Sequence, residues 1–312
     1  MTQTVPLSLG IDIGGTKAHG LVLDAADRVL AERVLPSAPT PAGVRRTVLA
    51  MARALAGELG LTTDSFGSIG LGIPGLVDPV RGVVETAVNL GIARCELADL
   101  LAGDFAVGVR VENDLKATAL GAALLLGRPA SDLAHLNLGT GLSAAAVSDG
   151  RLVRGLRNGA GELGHLAIDP AGERCRCGQR GCLETVLGGF HLGPRLAAQG
   201  LDLAGLGTDP RPAAAAERDR IVGGLATALT LLVIAYDSAA ITLGGGVVRA
   251  ATWLRPAAVD ELRRRAADSP FLTGLAIAER LMELPAAAPV APLGAALVGR
   301  NLTTAAVRSL ED

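Results

Sequence analysis

The chain is poor in aromatic residues: 2% of 312, with one Trp, one Tyr and four Phe. That disfavours the stacking platforms on which single-stranded nucleic acids are held. It also lacks a charge excess. Twenty-nine basic residues face 31 acidic ones, for a net charge of −2, so no global basic field draws nucleic acid. The N-terminus has no basic segment and enters a strand pattern over 5–13, so no secretory leader is expected. The longest uncharged run, 221–236, is short for a membrane span and contains Gly and Thr; it reads as a buried helix, and no membrane partner is expected. Only two of the basic residues are lysines, Lys17 and Lys116. Codon usage suffices to explain the scarcity, although both lie in motifs described below. The four cysteines are few and three are clustered, which suits a reducing cytoplasm better than a disulfide scaffold.

Hydrophobic residues make up 49% and charged residues 19%, enough for sizeable cores in a chain long enough for two domains. Strand patterns at 7–13, 18–23 and 28–34 form a ribbon, followed by a helix near 42–59, a strand 68–73, a helix near 95–102 and a strand 107–112. A helix follows with Leu115, Ala119, Ala122 and Leu126 on one face. Strands recur at 133–138, 142–148 and 151–154. Helices dominate from about 184, interrupted by a strand at 239–243. Pro- and Ala-rich segments at 36–41, 208–216 and 285–292 read as loops. The alternation predicts α/β architecture. A weak internal repeat aligns Gly14 with Gly139, Val22 with Val147 and Asp24 with Asp149. Both units read strand, glycine turn, strand, which suggests a duplicated fold with a cleft between its halves.

Cys175, Cys177 and Cys182 lie close together, with His165 just upstream. Three thiolates and an imidazole are a closed donor set for structural zinc. Gly178 and Gly181 allow the tight folding this needs. Free thiols remain the alternative, because the C-x-C spacing is shorter than the usual zinc-finger spacing. Glu162 and Glu184 bracket the cluster.

Asp12-Ile13-Gly14-Gly15-Thr16-Lys17 follows a strand. Its glycine N–H groups could wrap phosphate oxygens, with Thr16 adding a hydroxyl, Lys17 a cation and Asp12 a carboxylate for Mg²⁺ through water. An ordinary hairpin turn fits as well. Glu112-Asn113-Asp114 ends a strand and opens a helix. Either Asp114 caps that helix, or Asn113 binds a substrate hydroxyl while Asp114 accepts its proton. Gly139-Thr140-Gly141-Leu142-Ser143-Ala144 matches a G-x-G-x-x-A dinucleotide string, but a strand follows rather than a helix, which favours a phosphate-holding hairpin. Gly244-Gly245-Gly246 is either a site for close approach of a flat group such as adenine or a tight strand-to-helix turn. Cys95, His19, His135 and His191 show no partner pattern and read as structural.

In their order DIGGTK, GIPGLVD, END, LGTG, GELGH, CRCGQRGCLE and LGGG, these motifs resemble the ROK family of sugar kinases and sugar-responsive repressors over nearly the whole chain. The resemblance implies an α/β, actin-like/hexokinase-type (ribonuclease H-like) two-domain fold with a central cleft. Its N-terminal lobe would span 1–115 and its larger, zinc-bearing lobe 116–290. A last helix near 293–305, within about 291–312, would pack back on the first lobe. It further implies an ATP-dependent hexose kinase, a glucokinase before an N-acetylmannosamine, N-acetylglucosamine or fructose kinase, cytoplasmic and a homodimer or homotetramer. Asp114 would be the catalytic base; Asn113, Gly75, Glu162, His165 and Glu184 would be sugar contacts. Asp12, Gly14, Gly15, Thr16, Lys17, Gly139, Thr140, Gly141, Gly244 and Gly245 would surround Mg·ATP. His165, Cys175, Cys177 and Cys182 would hold structural Zn²⁺, the histidine through one nitrogen and with a sugar hydroxyl on the other. The sequence departs from the family pattern at Ser143, Ala144, Ile92 and Ser238. Two other classes compete. A repressor would carry an N-terminal helix-turn-helix, and the DIGGTK strand starting near Met1 leads us to expect none. An NAD-dependent oxidoreductase would need a helix after the G-x-G-x-x-A string.

Overall fold

The computed structural model describes residues 7–127, 132–285 and 287–300. They divide into two compact units. Unit 1 takes the chain up to 127, the segment 149–160 and the chain from 284 on; unit 2 takes 132–148 and 161–283.

In unit 1, β1 (Leu7–Ile13), β2 (Lys17–Leu23) and β3 (Val29–Pro36) form the expected antiparallel ribbon, followed by α1 (Pro41–Glu58). Pro41 occupies the first helical position, where a missing N–H costs nothing, and the Thr40 hydroxyl accepts from the Gly43 N–H at 3.2 Å. Next come β4 (Phe66–Ile73), the small sheet of β5 (Leu76–Asp78), β6 (Val83–Thr86) and β7 (Cys95–Glu96), then α2 (Leu97–Leu101), β8 (Val109–Asn113) and α3 (Asp114–Leu125). The main sheet runs β3-β2-β1-β4-β8, with β4 parallel to both β1 and β8. β1 and β4 read as continuous apolar runs because both faces are covered. α1 packs Val44, Val48, Met51 and Leu55 into that core.

After unit 2's first strands, the chain supplies β11 (Arg151–Leu152) to unit 1 and finally α10 (Val290–Gly299). α10 packs on α3, β1 and β4. The approach is close enough to demand glycine: a Cβ at Gly294 would lie 1.6 Å from the Ala117 carbonyl oxygen. This packing is why α3 belongs with unit 1, so the break falls beyond α3 rather than at 115/116. The expected C-terminal helix is present to Gly299; its continuation past Arg300 lies outside the described residues.

In unit 2, β9 (Leu133–Leu138) and β10 (Leu142–Ser148) form the second hairpin, followed by α4 (Leu183–Leu187), α5 (Gly189–Ala197), α6 (Pro212–Tyr236), β12 (Ala240–Gly244), α7 (Gly246–Ala250), α8 (Leu254–Ala267), α9 (Pro270–Leu275) and β13 (Leu281–Met282). Within the unit the strand order is β10-β9-β12-β13, with β12 parallel to both neighbours. The order β2-β1-β4-β8 in unit 1 has the same form: a glycine-turn hairpin, then two parallel strands. That match supports the duplication read from the Gly14/Gly139 repeat.

α6 is one helix of 25 residues, not the run 221–236 alone. Pro212 and Val290 start helices inside two of the Pro-rich segments expected to be loops, because proline is tolerated in a first turn. By length and composition α6 is long enough to cross a membrane. Ile221, Leu225, Leu229 and Leu232 are instead buried in unit 2's core.

Candidate functional site

In unit 1, register brings the acids together. Asp12, one residue before the end of β1, lies opposite Gly72 of β4, and Gly72 lies opposite Glu112 of β8, with Asn113 next in line. These are the carboxyl ends of parallel strands, where α/β sheets bind ligands. Gly72 separates the two carboxylate-bearing residues: its Cβ position is 3.4 Å from Asp12 Oδ1 and 3.5 Å from Asp114 Cα. Burial, then the nearby Asp114 charge, pushes Asp12 up from 3.8 to about 7, against the opposing pull of Lys17. Burial also raises Asp114, opposed by the Leu115 N–H, which donates to its Oδ1 at 2.8 Å.

The cap of α3 is Asn113, not Asp114. Asn113 Oδ1 accepts from the N–H groups of Leu115 and Lys116, both at 3.1 Å. Its Nδ2 donates to the carbonyl of Gly75 at 3.0 Å. Capping by Asn113 leaves Asp114 at the first helical position, so the helix start does not need its carboxylate.

Sequence reasoning missed the support beneath this corner. Glu112 is fully buried. It accepts from Arg154 Nε at 2.8 Å, Asn158 Nδ2 at 3.2 Å and the Asn113 N–H at 2.8 Å. Lys116, buried on α3, donates from Nζ to the carbonyls of Asn158 and Ala160 at 2.9 and 3.3 Å. It fastens the segment 149–160 to α3. Lys17 is exposed at the start of β2.

Both glycine turns close as hairpins. The Gly14 N–H donates to Lys17 O at 2.9 Å and the Gly139 N–H to Gly141 O at 3.0 Å. Those two N–H groups are therefore committed to the turns, and the phosphate-wrapping expectation narrows to the N–H groups of neighbours such as Gly15, Thr16 and Thr140. Gly245 caps α7 with φ +97°, and behind Gly244 lies buried His135, its Nδ1 2.9 Å from Thr242 Oγ1. Burial lowers that histidine to about 4, so it stays neutral.

In unit 2 the four expected metal donors converge. One donor atom from each of His165, Cys175, Cys177 and Cys182 lies within 4.8 Å of the others. Cys177 and Cys182 Sγ are 3.6 Å apart, and Cys175 Sγ is 3.7 Å from His165 Nδ1. A tetrahedral zinc with Zn–S bonds of roughly 2.3 Å has edges of about 3.8 Å, which these two separations match. The loop is shaped by the Gly178 N–H donating to Cys175 O and the Cys175 N–H to Gln179 O. Gly181, at φ +67°, comes so close to Asp169 that a Cβ would sit 1.5 Å from its carbonyl oxygen. All four cysteines are free thiols. Burial pushes Cys182 up to about 12 and Cys175 upward, whereas the Gln179 N–H draws Cys177 down to about 6.

Glu184, in the first turn of α4, ties this cluster to the β9–β10 hairpin. Its Oε2 accepts from the Leu142 N–H at 3.0 Å and its Oε1 is 3.7 Å from Cys175 Sγ. Glu162 is exposed just before the 3₁₀ turn that carries His165. His191, which showed no pattern in sequence, joins Cys175 and Glu184 within the same 4.8 Å limit, and its buried Nε2 has no hydrogen-bond partner.

The family model described as "ROK family" matches residues 8–280, and the chain belongs to that family. A glucokinase of Halalkalibacterium halodurans is 30% identical over 275 residues, covering 80% of this chain and 83% of that protein. The ROK hexokinase of Thermus thermophilus superposes with a TM-score of 0.80 at 29% identity, covering 94% of this chain and 98% of that one. The ROK family glucokinase of Streptomyces griseus, solved in complex with glucose and AMPPNP, gives 0.71 at 26% identity over 94% and 99%. The fold is the actin-like, hexokinase-type α/β fold that the motifs implied.

Proposed function

We propose that this chain is an ATP-dependent hexose kinase, and specifically a glucokinase that phosphorylates the 6-hydroxyl of glucose. The observation that carries the reading is the half-buried Asp114 carboxylate beside Asp12 at the carboxyl ends of β8 and β1. Phosphoryl transfer asks a protein for positioning, charge neutralisation and a proton acceptor. Asp114 supplies the acceptor. A sugar hydroxyl oxygen attacks the terminal phosphorus of ATP, the bond from that phosphorus to the ADP oxygen breaks, and the hydroxyl proton passes to Asp114. Its raised pKa makes it a stronger base than a solvated aspartate. The N–H of Leu115 restrains the carboxylate while Asn113 offers a neighbouring amide hydrogen.

Asp12 is the residue suited to hold Mg²⁺, which supplies charge neutralisation to the phosphates and would keep this half-buried carboxylate ionised. Gly14, Gly15, Thr16, Lys17, Gly139, Thr140, Gly141, Gly244 and Gly245 are proposed as nucleotide contacts, and Gly75, Glu162, His165 and Glu184 as sugar contacts. Zinc on His165, Cys175, Cys177 and Cys182 would act structurally. With Nδ1 facing the thiols, His165 keeps Nε2 for a hydroxyl. The relatives named glucokinase support a reading of glucose rather than an N-acetylhexosamine as the substrate.

The test is a coupled assay across hexoses, N-acetylhexosamines and phosphoryl donors, repeated with Asp114→Asn. Glucose with ATP should be the best pair. Loss of the base should lower kcat by roughly 10²- to 10⁴-fold, with the melting temperature and zinc content unchanged. Near-wild-type turnover of the variant removes Asp114 from the mechanism. If no sugar is phosphorylated while glucose still binds, the chain is a sugar-sensing regulator.

A further inference from the structure

His191 sits in the first turn of α5 and has no part in the four-donor metal set or in the phosphoryl transfer proposed above. One of its ring nitrogens lies within 4.8 Å of both Cys175 Sγ and a Glu184 carboxylate oxygen. The side chain is 10% exposed. Nε2 is buried and has no hydrogen-bond partner among the described residues. Buried polar atoms are normally paired, so the ring keeps a hydrogen-bonding group in reserve beside the metal loop.

The surroundings leave that group free for the loop. Nδ1 stands 3.8 Å from Glu173 Oε2, beyond hydrogen-bond range. Glu173 does not depend on it, because Arg195 and Arg220 pair with the same carboxylate at 3.5 and 3.2 Å. Phe190 meets the imidazole in a T-shaped contact, with ring centroids 5.2 Å apart, which supports the ring without using its nitrogens.

A bound metal creates the demand for a donor. As a thiol, Cys175 donates to Glu184 Oε1 at 3.7 Å, while Glu184 Oε2 accepts from the Leu142 N–H at 3.0 Å. A cysteine that ligates zinc does so as a thiolate, which has no proton to give. Three thiolates also outweigh the charge of one zinc ion, so an anionic centre then faces a carboxylate across 3.7 Å. Like charges this close disfavour one another, and a hydrogen bond to the charged forms offsets the cost.

We propose that His191 supplies that hydrogen bond. It is a positioning residue: its ring N–H donates to the Cys175–Glu184 pair when metal is bound, which holds the metal loop closed and Glu184 in place against the β9–β10 hairpin. The consequence for sugar binding rests on the kinase reading, in which Glu184 is a sugar contact; the consequence for metal affinity rests only on the four-donor loop.

The tests use the full chain loaded with Zn²⁺ or Co²⁺ and the variants His191→Leu and His191→Gln. His191→Leu should weaken metal affinity in chelator competition by at least about tenfold, the usual cost of losing a partner that orients a metal ligand. It should also shift the thiolate-to-cobalt charge-transfer band. The melting temperature of the chelated protein should not fall, because an unpaired ring nitrogen gives way to an apolar group. His191→Gln, which keeps an N–H at similar reach, should regain most of the affinity. With metal saturating, His191→Leu should raise the KM for glucose and leave the KM for ATP unchanged. Equal metal affinity in wild type and His191→Leu overturns the inference, as does a His191→Gln variant that binds metal no better than His191→Leu. A melting temperature lowered equally with and without metal assigns His191 to packing alone and overturns it too. A wild type that takes up no cobalt removes the metal reading and this inference together. Failure of the kinase reading shows separately, as absent turnover with the His191-dependent metal affinity intact.

Discussion

Removing the Arg154 guanidinium should be among the most costly single changes in unit 1. Glu112 has no solvent exposure and receives four donors: Arg154 through Nε and Nη2, both at 2.8 Å, Asn158 at 3.2 Å and the Asn113 N–H at 2.8 Å. Arg154→Met strips away the compensating charge and leaves a buried carboxylate with two neutral donors. Breaking a buried pair in this way costs about 3–5 kcal/mol. Arg154 retains 24% side-chain exposure, so water can relieve part of the loss, and about 3 kcal/mol is the better figure. That is roughly a 150-fold change in the folded-to-unfolded ratio. Glu112→Gln should cost less, because the stranded partner is then the half-exposed arginine. The double variant Glu112→Gln/Arg154→Met has no buried charge and should recover much of the loss. Urea unfolding followed by circular dichroism gives the stabilities, and hydrogen exchange at β8 and α3 amides localises the effect. A loss under about 1 kcal/mol for Arg154→Met, or a double variant no more stable than that single one, would refute the argument.

Three further outcomes are expected. Purified protein should carry about one zinc per chain, and Cys182→Ala should remove the metal and lower the melting temperature; a metal-free protein indifferent to chelators would exclude the site. Asp12 is raised to about 7 in the folded chain from 3.8, so the stability tied to its proton is fully present below about pH 4 and is lost as pH rises through about 7. Mg²⁺ competes with that proton and should raise the melting temperature more at about pH 8 than at about pH 5; equal shifts would deny Asp12 the metal. Gly294→Ala places a methyl 1.6 Å from the Ala117 carbonyl oxygen, which forces α10 off α3 and should exceed the ordinary overpacking cost of roughly 1–3 kcal/mol. An unchanged thermal melt would contradict that packing.

The convergence of His165 with the cysteines was legible because Cys175, Cys177 and Cys182 crowd one short loop and few histidines exist to join them. The hairpins were legible because strand, glycine turn and strand leave a local pattern of period two. The short strands β5–β7 and β13 left no such pattern. Two helix starts were misread because proline signals both a loop and a helix's first turn. His191 and Glu112 were invisible as functional neighbours, since their partners lie far away in sequence.

Residue type and local spacing were enough to establish the family motifs, the Cys/His cluster and the alternation of strands and helices. These are short-range properties, carried by glycine, cysteine and hydrophobic period. Folding assigned the roles around Asp114. Strand register set Asp12 beside it, and α10 drew α3 into unit 1. Asn113 took over the helix cap, and Glu112, Arg154 and Asn158 met beneath the corner. Apart from the local Asn113 cap, those contacts join residues about 40 to about 170 positions apart, where pairing depends on close packing rather than on pattern.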